Sequence, residues 1–133
     1  MDLDLSSGLP MVDMKIWNKR KGDFGSLSIT VDTGANITTI STDILVRAGY
    51  DVAAGVRKSI TTASGREFVR AIIVPKIKLG RFELNDVLIY AHTFPQESFS
   101  SGVLGINVLE KFDVNILFSK KVMILTKHTS NTE

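Results

Sequence analysis

The chain has 133 residues, enough for one hydrophobic core but not for two lobes. Hydrophobic residues make up 44% and charged residues 23%, the balance of a soluble globular protein, and a net charge of +2 without a long Lys/Arg run gives no footprint for nucleic acid. The absence of cysteine excludes a disulfide framework, a thiol nucleophile and a cysteine metal site, and no apolar run approaches the roughly 20 residues of a membrane span.

Residues 1–9 are polar, with Ser and Gly, and are expected to fray, as is the tail from 128 to 133. Met11 to Trp17 alternates loosely and suits a first strand, and Lys19 to Gly25 makes a turn whose Lys19-Arg20-Lys21 cluster is a solvated tip. Ser26 to Val31 is a second strand, and Ile37 to Ile40 is again extended. Ser41 or Thr42 can cap a short helix from Asp43 to Ala48, which Gly49 ends. Val56 to Thr62 and Glu67 to Val74 form the arms of a hairpin with Ser64-Gly65 at its tip, and Pro75 interrupts the pairing. Lys76 to Leu79 and Phe82 to Ala91 flank a Gly80-Arg81 turn. A polar loop follows from His92 to Ser101. Val103-Leu104 is a short strand, Ile106 to Lys111 a short helix, and Val114 to Phe118 and Val122 to Thr126 the last two strands. Short strands with turns about every ten residues predict an all-β barrel or sandwich in one domain, with a core from about residue 11 to about residue 126.

The stretch from Ile29 to Ile37 carries the chemistry. Asp32 ends a β-branched apolar run, and Thr33-Gly34 turns the chain at once. A carboxylate at the mouth of an apolar strand is costly to bury unless donors hold it or it shares a proton. It can therefore be the start of an Asx-type turn or a catalytic acid. Downstream, Val103-Leu104-Gly105-Ile106-Asn107 runs into the helical Val108-Leu109-Glu110-Lys111-Phe112, and the Ile60 to Phe68 hairpin lies between the two motifs.

Val31-Asp32-Thr33-Gly34-Ala35, with those two companions in that order, resembles the retropepsin-like aspartic peptidases over nearly the whole chain. The resemblance implies a closed barrel of short antiparallel strands with one or two short helices. It also implies endopeptidase activity on a peptide or protein substrate, without metal or organic cofactor, nucleic acid or membrane contact. Asp32 would be the catalytic acid, and Thr33, Gly34 and Ala35 would form its loop. Ala63, Ser64, Gly65 and Arg66 would form a flap over substrate, and Val103, Leu104 and Gly105 would brace the loop from behind. This chemistry needs two carboxyl groups facing one water, one as base and one as acid. The chain holds a single Asp-Thr-Gly, so the resemblance implies a homodimer that brings a second Asp32 across a two-fold axis. Asn36 and Ile106 stand where many viral relatives carry charged residues, and no aromatic sits at the hairpin tip, which is closer to the cellular or bacterial single-domain members.

Other residues offer less. His92 and His128 are isolated, and Asp43, Asp51, Asp86 and Asp113 read as cap, turn or strand-end residues. Asp32-Thr33-Gly34…Thr38 has a superficial likeness to the first phosphate loop of actin-like ATPases, which need two large lobes. The alternative function class is a non-catalytic dimerisation or peptide-binding module on the same fold.

Overall fold

The structure, a computed structural model, describes residues 1–93 and 100–128. Most of the expected polar loop from His92 to Ser101, and the tail beyond His128, lie outside the described residues. In chain order the strands are β1 (Met11–Asn18), β2 (Asp23–Val31), β3 (Thr39–Ser41), β4 (Val56–Thr62), β5 (Gly65–Leu79), β6 (Phe82–His92), β7 (Gly102–Leu104), β8 (Phe112–Leu117) and β9 (Val122–Lys127). Two short helices, α1 (Thr42–Arg47) and α2 (Ile106–Leu109), interrupt them.

Six of these strands close a barrel in the order β1-β2-β7-β3-β6-β5, and the end of β5 returns to β1 with Met14 opposite Leu79 and Ile16 opposite Ile77. Closure follows from the side-chain period of two. Along β1, Met14 and Ile16 point inward and are buried while Asp13 and Lys15 point outward, and along β5 Ile77 and Leu79 do the same beside Lys76 and Lys78. The inward residues meet Ile29, Ile40, Ile89 and Leu104 in one core, onto which α1 adds Leu45. Outside, Lys76 and Lys78 lie over the rings of Trp17 and Phe24, covering aromatic surface with their stems.

Three features depart from the expectation. Pro75 does not end a strand: β5 runs through it, with Val74 opposite Val87 and Lys76 opposite Asn85 in unbroken register. The missing N–H costs one rung, and the facing Asp86 takes a positive φ of 52° where the ladder skips. The turn after β1 is shorter than expected, because Gly25 is paired with Ile16 inside β2. The N-terminal residues are not frayed. Asp2 bridges Val122, the Leu3 N–H donates to Lys121 O at 2.9 Å, and the Met1 ammonium donates to Met123 O at 2.9 Å. Leu3 supplies the reason: it is the apolar residue of that stretch that reaches the core, and it is buried.

The β8–β9 hairpin is a separate two-stranded sheet. With β8 along one side and residues 1–3 along the start of the other, β9 has partners on both sides at its beginning.

Candidate active site

β2 ends at Val31 because two neighbours hold it there. Its residues 30 and 31 pair in parallel with Val103 and Leu104 of β7, and the Val31 N–H donates to Pro10 O at 2.8 Å. The next residue, Asp32, is still anchored through its N–H to Leu104 O at 3.1 Å. The chain then turns. The Gly34 N–H donates to Asp32 Oδ1 at 2.9 Å and the Ala35 N–H to Asp32 O at 3.2 Å. This is an Asx turn, as the plainer sequence reading allows. It occupies only one carboxylate oxygen: Oδ2 has no hydrogen-bond partner among the described residues. Asp32 is half-buried, while Thr33 and Gly34 are exposed.

The loop is braced from the downstream motif. The Ile106 N–H donates to Ala35 O at 2.8 Å and the Asn107 N–H to Asn36 O at 3.0 Å. Gly105 lies so close that a Cβ there would stand 2.8 Å from Ile37 C and 2.9 Å from both Ala35 O and Thr38 N. Gly102, at the other end of β7, could not carry a Cβ either, since it would sit 2.1 Å from Thr39 O. Val103 is opposite both Thr30 and Thr39, which makes β7 the rung between β2 and β3. Leu104 is fully buried.

Thr38 and Asn107 complete the brace. Thr38 is fully buried; both its N–H and its hydroxyl donate to Asn107 Oδ1 at 2.8 Å, and its Oγ1 accepts the Gly105 N–H at 3.0 Å. The Asn107 amide group donates to Leu88 O at 2.8 Å, and the Thr38 carbonyl accepts the Tyr90 N–H at 2.9 Å. Three segments of chain, around residues 38, 88 and 105–107, are thus locked by two short side chains. The sequence places Thr38 in a likeness to a phosphate loop and Asn107 in the downstream motif, and gives neither a bracing role. A Thr in an extended run and an Asn in a short amphipathic helix carry no distinguishing pattern, although Asn107 stands within the motif after Leu104-Gly105.

A cleft of about 530 Å³ separates this loop from β4. Its walls are Gly34 to Ile37, Thr39 and Tyr90 on one side and Ser59, Ile60 and Thr61 on the other. The turn of the β4–β5 hairpin is Ala63-Ser64, one residue earlier than expected, with Gly65 (φ 119°) opening β5 opposite Thr62. Thr62 Oγ1 closes this turn, donating to Gly65 O at 3.0 Å and to Glu67 Oε2 at 2.8 Å. Ala63, Ser64, Gly65 and Arg66 are all exposed and do not line the cleft; the arm does. Glu67 also faces His92 Nε2 at 3.2 Å. The Thr62 hydroxyl first, and then His92, hold its carboxyl below the usual glutamate range.

Three of the other acidic residues have local roles. Asp51 Oδ1 accepts the Ala54 N–H at 3.3 Å, Asp43 lies in the first turn of α1, and Asp113 faces His128 at 3.6 Å. Among the described residues no cluster of His and acids could hold a metal ion, and no helix is long and apolar enough to cross a membrane.

Comparison with known proteins places this geometry. The family described as "Aspartyl protease" matches residues 21–108, which contain Asp32, the hairpin and the Gly105-Asn107 brace. No curated protein sequence matches the chain. Among solved structures, a retropepsin-like aspartic protease from Rickettsia conorii superposes with a TM-score of 0.70 over 93% of this chain and 86% of that one, at 18% sequence identity. The barrel is therefore a retropepsin-like fold, and the chain belongs to the aspartyl protease family.

Proposed function

We propose that the protein is an aspartic endopeptidase, active as a homodimer in which the Asp32 carboxyls of two chains activate one water. The observation that carries this reading is the Asp32 carboxylate itself. The Asp32 backbone N–H donates to Leu104 O at the end of a barrel strand, and the carboxylate accepts the Gly34 N–H on Oδ1, with its other oxygen open and the exposed Thr33-Gly34 beside it. One carboxylate cannot act as base and acid in the same step, and the chain supplies one such motif. Two carboxyls about 3 Å apart cannot both ionise, as in aspartic proteases generally, so the pair shares a proton. The ionised member takes the water's proton as the oxygen attacks the peptide carbonyl, and the protonated member donates to the carbonyl oxygen.

Thr33 would tie the two loops together, and Ala35 would complete the loop. The β4–β5 hairpin, with Ala63 to Arg66 at its end, would act as the flap, closing over an extended peptide paired along Ser59 to Thr61. The second copy would meet the exposed apolar residues of the β8–β9 hairpin, Phe118 in its turn and Ile124 on β9. No metal or organic cofactor enters the reaction.

The test is cleavage of a diverse peptide mixture read by mass spectrometry, wild type against Asp32→Asn, at several protein concentrations. The variant should lose about a hundredfold or more of the rate. Wild-type specific activity should rise with concentration, and the rate should be bell-shaped in pH. Cleavage that survives the substitution would remove Asp32 from the chemistry. No cleavage at a concentration where dimers form would leave a peptide-binding module.

A further inference from the structure

The β4–β5 hairpin is unevenly charged. Between residues 56 and 71 it carries Arg57, Lys58, Arg66 and Arg70 against one acid, Glu67, and that acid is engaged by Thr62 and His92. None of the four cations forms an ion pair with a carboxylate among the described residues. Arg57 and Arg70 are direct cross-strand partners, so their side chains leave the same face of the hairpin. Like charges in that position destabilise a sheet.

Both arginines are nonetheless held in place. The Arg70 Nη1 donates to Gly55 O at 3.2 Å, and the Arg57 guanidinium lies over the Phe68 ring at 3.8 Å from its centroid. Phe68 is itself 54% exposed. Together these three residues line a groove of about 590 Å³ whose far wall includes Val46 and Tyr50. Asp51 is on that lining too, but its carboxylate is turned onto the Ala54 N–H. Two planar, permanently charged forks beside an exposed ring suit a carboxylate next to an apolar side chain.

We propose that this groove is an accessory binding site for an acidic segment of the substrate polypeptide, outside the stretch that enters the cleft. The proposal rests on the protease reading above. The hairpin makes the connection: Ser59 to Thr61 line the cleft and Arg57, two residues earlier on the same strand, lines the groove. Two residues of strand span about 7 Å, so a chain laid along β4 passes from one to the other. Charge complementarity fixes the occupant as anionic, and the apolar wall fixes its neighbour as aromatic or aliphatic.

The test has two arms. In the first, a fluorescein-labelled peptide of alternating Glu and Phe, and its Gln counterpart, are titrated with the Asp32→Asn protein and read by anisotropy. The Glu peptide should bind about tenfold more tightly than the Gln peptide, and Arg57→Gln/Arg70→Gln on the same background should abolish that difference with the circular dichroism spectrum unchanged. Equal binding of the two peptides, or a difference that survives the double substitution, overturns the groove. In the second arm, a peptide that the wild type cleaves is compared with and without a Glu/Phe tail. The ratio of tailed to untailed kcat/KM should be well above one in the wild type and near one in the double variant. A ratio of one in the wild type, with the anisotropy difference intact, overturns the substrate as occupant. If no peptide is cleaved at all, the protease reading fails and takes this occupant with it, while the anisotropy arm still decides whether the groove binds acidic peptide.

Discussion

Thr38 joins the loop after Asp32 to the segment after β7 through a hydroxyl that donates to Asn107 and accepts from Gly105. Valine has the same shape without that hydroxyl, so Thr38→Val should leave the Gly105 N–H without an acceptor inside the barrel. A buried donor left unpaired costs about 1–3 kcal/mol. The expected result is an unfolding free energy from urea denaturation lowered by that amount in Thr38→Val and nearly restored in Thr38→Ser; an unchanged free energy in Thr38→Val would show that the bond contributes nothing to stability. At this scale the sequence is readable where chemistry is local. Asp32 stands out because an acid at the end of an apolar strand demands a reason, and Gly105 because a glycine after Val-Leu suggests close approach. Thr38 and Asn107 do not stand out, because what distinguishes them is a meeting across 69 residues of chain.

At the scale of elements, the hairpin carries a carboxyl whose ionised form the fold prefers. Glu67 holds the turn through Thr62 and reaches β6 through His92. Its carboxyl titrates below the ordinary glutamate value of 4.5 in the folded chain. A depressed pKa means the folded hairpin prefers the ionised form, so the contribution is complete above pH 4.5 and is lost as pH falls through the lower folded value. Amide exchange along β4, corrected for intrinsic rates, should therefore show protection unchanged above pH 4.5 and falling as the pH is lowered from there in the wild type, and flat throughout in Glu67→Gln. Protection that falls equally in both would place the switch elsewhere. The hairpin was legible from sequence because alternation and a Ser-Gly turn are local signals. That Ser59 to Thr61 of its arm, rather than its tip, line the cleft was not legible, because it depends on how β5 bends as it passes from β4 to β6 and then to β1.

For the whole molecule, closure was foreseeable and the role of the first residues was not. Many short alternating strands need a barrel to bury one face each. The pairing of β5 with β1 that closes this one joins residues more than sixty positions apart, which no local pattern encodes. The polar composition of residues 1–9 pointed to fraying, yet Met1 and Asp2 pair with the start of β9 and Leu3, 3% exposed, packs into the core beside them. Leu3→Ala should lower the stability of the whole fold by about 2 kcal/mol or more, read as a cooperative shift in thermal unfolding. A loss confined to the first residues, with the midpoint unmoved, would show that the segment only rests on the surface.

Closing the barrel also decides where the backbone still has something to offer. Within that sheet β4 is paired along one side only, with β5, so the carbonyls and amides along its other margin have no strand partner among the described residues. An incoming chain can be read there by its main chain alone, whatever its side chains, and the same row faces the loop that holds Asp32 across the cleft. A docked polypeptide would in effect become the next strand, and cutting it would return the protein to its unextended sheet. Selectivity, on the proposed arrangement, would fall to the walls on either side of the row, while recognition of polypeptide as such would fall to the unpaired margin of β4.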